Sequence, residues 1–218
     1  MNPFRINSIV ALGAFAALLC FDLPADVATR PPAKLNGTLR SGRHVEDFAI
    51  SGDSTWVVYR ADEETSGILE LYSRPIAGSS WPIKMNEPLV SGSKVSAYAI
   101  SPDGARVVYI AAQTSEPAFQ LYSRPLDGLL TASTMNGPLV SGGGVIDFAI
   151  SPDSRWLIYR AVQERAGVFE IYSRDLSGIA KLDDPKKLNG TLSGQVVVSY
   201  LIFSDSAWMK RPMLTGRG

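Results

Sequence analysis

The sequence predicts an all-β fold: a β-propeller of four-stranded antiparallel blades, with about three complete blades and a partial fourth. Three observations in its 218 residues carry this. Ser51, Ser101, Ser151 and Ser204 anchor four copies of one segment, 50, 50 and 53 residues apart, and a fixed period in this range marks a repeat architecture. Each copy holds short apolar, β-branched runs separated by turn residues. The apolar spacing of three and four that a helical repeat needs is missing.

The N-terminus differs from the rest. Within residues 1–28, Arg5 precedes an apolar run from Ile6 to Phe21, and Ala25 and Ala28 are small residues suited to a cleavage site. This is the pattern of a signal peptide. An uncleaved hydrophobic anchor is the alternative, although a span needs roughly 20 apolar residues. Cys20 is the only cysteine, and Leu19 before it is larger than an acylation motif wants. Cleavage beyond Cys20 leaves no thiol for disulfides, nucleophiles or metals. The expected address is exported, either periplasmic or extracellular, with membrane contact only through this segment, as an anchor or by lipidation at Cys20. Residues 29–33, with Pro31-Pro32, read as an extended linker.

The repeats occupy 34–83, 84–133 and 134–186, with a partial copy at 187–212 and a tail at 213–218 that matches nothing else. Each opens a strand at Val45 to Ser51, Val95 to Ser101 or Val145 to Ser151, rich in β-branched and aromatic residues. A corner follows: Ser51-Gly52-Asp53-Ser54, Ser101-Pro102-Asp103-Gly104, Ser151-Pro152-Asp153-Ser154. Proline presets φ, Asp bonds nearby backbone and Gly104 accepts positive φ, so these residues read as turn chemistry rather than a carboxylate site. The second strands, around Val57-Val58-Tyr59, Val107-Val108-Tyr109 and Leu157-Ile158-Tyr159, are apolar on both faces. Such strands are covered on both sides. Third strands lie at Leu69 to Arg74, Phe119 to Arg124 and Phe169 to Arg174, closed by turns near Gly78, Gly128 and Gly178. The fourth strands are expected at Gly37 to Arg40, Pro88 to Ser91, Pro138 to Ser141 and Thr191 to Ser193, where leading prolines suit an outer edge.

The corner Ser101-Pro102-Asp103-Gly104 with Val107-Val108-Tyr109, and Ser151-Pro152-Asp153 with Ile158-Tyr159, resembles the TolB-like (WD40-like) β-propeller repeat family. Leu121-Tyr122-Ser123-Arg124 and Ile171-Tyr172-Ser173-Arg174 resemble its third strand. The resemblance covers Lys34 to about Trp208 and departs at Gly52, where proline is expected. It implies the fold, and it is shared by envelope proteins and by the propellers of prolyl oligopeptidase-type serine peptidases. The fourth copy keeps Ser204-Asp205-Ser206-Ala207-Trp208 and then departs at Lys210-Arg211-Pro212. Propellers close with four to eight blades. The copies therefore read either as a truncated propeller or as half of a homodimeric ring of about seven blades.

The chemistry is sparse. Lys+Arg and Asp+Glu both total 21, which gives no footprint for nucleic acid. His44 is the only histidine, so no multi-histidine metal site exists. No Gly-x-Ser-x-Gly elbow occurs. Gly142-Gly143-Gly144 precede a strand, which is not the context of a phosphate cradle. Asp183-Asp184 beside Pro185 reads as a solvated turn. No catalytic, cofactor or metal residue is assigned. The candidate channel-lining residues are Asp47 and Asp147, with Ala97 between them, and Arg60 and Arg160, with Ile110 between them. The acids either bind a cation or polar ligand or are simply solvated at the funnel mouth, and the arginines either pair with them or solvate a strand end. Arg74, Arg124 and Arg174 recur in Tyr-Ser-Arg, which points to a blade-level role, either a strand-end charge or an inter-blade hydrogen bond, and the tyrosines at 59, 109, 159, 72, 122 and 172 to core between blades.

The function expected is an exported interaction module for a protein or small ligand, without catalysis of its own. One alternative is the propeller part of a prolyl oligopeptidase-like peptidase without its hydrolase domain. Another is a non-functional remnant.

Overall fold

The computed structural model describes residues 32–78, 80–113, 118–176 and 184–190. The signal or anchor segment 1–28 with Cys20, most of the linker, Asp183, and the fourth copy from Thr191 through the tail lie outside the described residues.

Twelve strands are described, all within the compact unit Lys34–Gly218. They form three four-stranded sheets in simple sequential order. The first is β1 (Val45–Ile50), β2 (Trp56–Ala61), β3 (Glu70–Pro75) and β4 (Ile83–Lys84). The second is β5 (Ala97–Ile100), β6 (Arg106–Ala111), β7 (Gln120–Pro125) and β8 (Ser133–Thr134). The third is β9 (Val145–Ile150), β10 (Trp156–Ala161), β11 (Glu170–Asp175) and β12 (Lys186–Lys187). Every pairing is antiparallel. Sequential four-stranded antiparallel sheets are propeller blades.

The fourth strands correct the sequence reading. They sit at 83–84, 133–134 and 186–187, a few residues ahead of the proline-led segments, and residues 37–40, 88–91 and 138–141 form no strand. Strand 4 is an outer edge whose few bonds to strand 3 define it, and those bonds leave no periodicity in the sequence. Proline lacks the N–H that an edge bond needs, so the prolines fall just beyond the strand.

The core lies between sheets. Val58 and Leu71 of the first sheet, with Met85 just after β4, meet Val107, Tyr109 and Tyr122 of the second and Leu126 just after β7, all buried. Val108, Ile110, Leu121 and Met135 meet Leu157, Tyr159 and Tyr172 of the third in the same way. Successive side chains of a strand point to opposite faces, so an unbroken apolar run such as Val107–Ala111 serves two neighbours at once. Four of the tyrosines form core between blades as expected, Tyr109 and Tyr122 between the first and second and Tyr159 and Tyr172 between the second and third, whereas Tyr59 and Tyr72 are buried in a cluster of first-blade residues. Tyr59 stacks on Tyr72, Tyr109 on Tyr122 and Tyr159 on Tyr172, each pair with ring centroids 5.4 Å apart. Each is a cross-strand pair in register.

Candidate functional site

The residues singled out from the sequence fall in two places on each blade. The first is the corner between inner strands 1 and 2. Ser51 Oγ donates to Asp53 and accepts from Trp56 N–H, and Asp53 Oδ1 accepts from Thr55 N–H. Ser101 and Asp103 repeat the set with Arg106 and Ala105, and Ser151 and Asp153 with Trp156 and Arg155. The Ser51 hydroxyl, followed by Thr55, holds the Asp53 carboxyl below the usual carboxylate range. The fourth corner residue is left-handed in the three described copies, at φ 60 for Ser54, 70 for Gly104 and 59 for Ser154. Corners of adjacent blades also touch. Asp103 N–H donates to Ser154 Oγ, and a Cβ on Gly52 would lie 3.0 Å from the Pro102 carbonyl.

The second place is the far end of the inner strands. A bulge in β1 between Val45 and Asp47 sets Asp47 opposite Arg60, and β9 does the same for Asp147 and Arg160. Bulges re-aim a side chain at the cost of a ladder bond. Arg60 Nη2 pairs with Asp47, and Arg160 Nη2 pairs with Asp147 at 2.6 Å. Arg60 reaches further, donating to the carbonyls of Val95 (3.1 Å) and Ser96 (3.0 Å) and lying over the Tyr98 ring of the second blade. The Arg60 hydrogen bond keeps the Asp47 carboxyl low, against the opposing effect of burial. All four residues are thus placed as ion pairs at the inner strand ends, and one pair bridges two blades.

Several structural side chains escaped the sequence reading. Glu63, Gln113 and Gln163 each stand four residues after the strand-2 tyrosine and accept from its hydroxyl. Each also accepts a connector N–H, from Gly37, Glu87 and Gly137 respectively. The recurring Glu or Gln was the available signal. Of the two roles open to the Tyr-Ser-Arg arginines, the structure shows the hydrogen-bonding one. Arg124 donates to the carbonyls of Lys84 and Met85, Arg74 to those of Lys34 and Leu35, and Arg174 to that of Met135. His44 lies 3.1 Å from Glu46 and 3.7 Å from buried Asp62. Asp62 accepts the N–H groups of Gly67 and His44, which hold its pKa low.

A groove of about 830 Å³ opens beside the second and third blades, lined by Phe119, Val140, Gly143, Gly144, Ile146 and Phe169 among others. Its floor is the triple glycine. A Cβ on Gly143 would fall 2.3 Å from the Val162 carbonyl, whereas one on Gly144 would make only ordinary contact with Phe119. The matching positions of the other copies carry Arg43-His44 and Ser93-Lys94. Among the described residues no cluster of three or more His, Cys, Asp or Glu side chains is placed to hold a metal ion.

The architecture defines a class: a β-propeller of sequential four-stranded antiparallel blades, with no closed ring among the described residues. No protein-family profile and no curated protein matches the chain. Among solved structures, it is similar to a prolyl endopeptidase at TM-score 0.50 and 11% identity, over 74% of this chain and 24% of that one. It is also similar to a TolB-type protein from Agrobacterium tumefaciens (TM-score 0.49, 20% identity, 75% of this chain and 52% of that one). The β-propeller domain of the Trilobed protease from Pyrococcus furiosus is a third (TM-score 0.46, 12% identity, 69% and 44%). The chain therefore spans about half or less of each. At these identities the likeness is one of fold, and fold does not carry function.

Proposed function

We propose that the chain is an exported β-propeller module that binds a protein or small ligand and carries out no catalysis of its own. The observation that supports binding is the groove beside the second and third blades. It interrupts a repeat whose other polar residues hold corners, connectors and neighbouring blades together. Two phenylalanines and an isoleucine give it an apolar wall, and the glycines give it exposed backbone, a combination common in ligand clefts. Export rests on Arg5 and the apolar run that follows it.

The test uses Gly144→Lys, which places in the groove the residue that the second copy carries as Lys94. Peptides selected on the wild-type chain from a random display library should lose at least about tenfold in affinity for this variant, while its melting temperature is unchanged. Equal binding to both proteins would remove the groove from the proposal. Hydrolysis of short peptides by the purified wild-type chain would overturn the non-catalytic reading. The second reading, a peptidase's propeller part, draws on the fold match to a prolyl endopeptidase. It predicts a Gly-x-Ser-x-Gly segment encoded downstream of Gly218.

A further inference from the structure

The connector Lys34-Leu35-Asn36-Gly37 is seated on the first blade as later connectors are seated on theirs. Gly37 N–H donates to Glu63 at 2.8 Å, as Glu87 does to Gln113 and Gly137 to Gln163. The Lys34 and Leu35 carbonyls accept from Arg74, as those of Lys84 and Met85 accept from Arg124. The Asn36 side chain donates to the Gly37 carbonyl, in the conformation that Asn86, Asn136 and Asn189 adopt. Downstream, every bond of the motif is made.

Upstream, the partners are missing among the described residues. In the later connectors the apolar residue donates to strand 3 of the blade before: Met85 to Leu71, Met135 to Leu121 and Leu188 to Ile171. Strand 3 donates back to the asparagine, through the N–H groups of Leu71, Leu121 and Ile171. A lysine at the head of the connector pairs with the glutamate opening that strand, Lys84 with Glu70 and Lys187 with Glu170, each at 2.5 Å. Where the lysine becomes Thr134, the glutamate becomes Gln120. Leu35 N–H, Asn36 Oδ1 and Lys34 Nζ have no such partners. On the same blade Phe48 is 67% and Ile50 55% exposed, although Tyr98, Ile100, Phe148 and Ile150 at matching positions pack against the blade before.

The free edge calls for a strand that reads Glu-apolar-Tyr-Ser. Two strands of this chain do so, at Glu70 and at Glu170. The second is followed by Lys187-Leu188-Asn189-Gly190-Thr191-Leu192, identical to Lys34-Leu35-Asn36-Gly37-Thr38-Leu39. We infer that the occupant is a second copy of this chain. Lys34–Gly37 of each copy replaces Lys187–Gly190 on the other's β11, so that one copy's first blade follows the other's third. The exchange conserves the strand bonds and the Lys–Glu pair while it covers Phe48 and Ile50. It is a strand replacement between copies, repeated twice about a two-fold axis. Three described blades from each copy make six, inside the closing range for propellers.

Sedimentation of the full chain tests this. Dimerisation should be measurable below about 100 μM protein. Lys34→Glu, on an exposed residue, should weaken it at least about tenfold by setting two carboxylates face to face. Adding Glu170→Lys to the same chain should restore it to within about threefold. Asn36→Ala, which removes the free acceptor, should act in the same direction as Lys34→Glu and keeps the test open should the double variant fail to fold. A chain that stays monomeric at that concentration overturns the proposal, and so does a dimer indifferent to both single variants.

Discussion

Phe48 and Phe148 occupy the same place in two copies of one repeat, yet the first stands 67% exposed and the second packs into the core between the second and third blades. Ile50 and Ile150 differ in the same way. The strands are alike in length and pairing, Val45–Ile50 against Trp56–Ala61 and Val145–Ile150 against Trp156–Ala161. What differs is the neighbour. A blade's apolar face acquires its burial from the blade before it, so the same residue serves as core in one copy and as surface in another.

Truncation should expose this difference most strongly. Phe148→Ala should cost about 2 to 3 kcal/mol in urea unfolding, because it leaves a cavity between two sheets. Phe48→Ala should stay within about 0.5 kcal/mol in the monomer. Equal losses would mean that Phe48 is covered in solution, and a loss that grows with protein concentration would point to the second copy.

The next effect concerns the ion pairs, where the second copy differs from its neighbours by carrying Ala97 and Ile110. Asp47→Ala alone should cost about 1 to 2 kcal/mol, since it leaves the mostly buried Arg60 guanidinium without its carboxylate. Adding Arg60→Ile rebuilds the second copy's solution and should recover at least half of that loss. No recovery in the double variant would show that Arg60 acts chiefly through the Val95 and Ser96 carbonyls.

The same pair sets an acid limb. Arg60 keeps the folded Asp47 pKa below its ordinary 3.8. The unfolded chain therefore binds this proton first. The stabilisation is complete above the ordinary value and disappears as pH falls through the folded one. Between about pH 5 and pH 2 the wild type should lose more stability than the Asp47→Ala/Arg60→Ile variant. Parallel profiles would remove Asp47 from the acid response.

The smallest effect lies at the corners. Ser54 holds φ 60 where the second copy has Gly104. Ser54→Gly should stabilise by about 0.5 kcal/mol, as the left-handed strain is relieved. Ser154→Gly should gain nothing, because it removes the acceptor for Asp103 N–H. Thermal melts of the two variants should therefore move differently, and equal shifts would remove the corner contact between blades as a stabilising feature.

How much of this was legible follows the range of each interaction. Period, strand order, corner chemistry and two-sided burial of the second strands are written in local spacing. So is the blade-level role of the Tyr-Ser-Arg arginines, because a residue present in every copy serves the copy. The fourth strands were misplaced, since two residues of edge pairing leave no periodicity to read. The bulges that turn Asp47 and Asp147 toward Arg60 and Arg160 were equally invisible, because one extra residue in a ladder shows only when its partner strand is in place. The groove was half legible. Gly142-Gly143-Gly144 stands out in the sequence, but its apolar walls come from Phe119 and Phe169, far along the chain.

The sequence by itself determined the blade, because turn residues and alternating apolar runs act over a few residues. Only the tertiary structure decided which faces are core, which connectors are fully bonded and which ion pairs cross between blades. Those depend on what lies on the other side of each sheet, and a repeated sequence is silent about where its own repetition leaves a face uncovered.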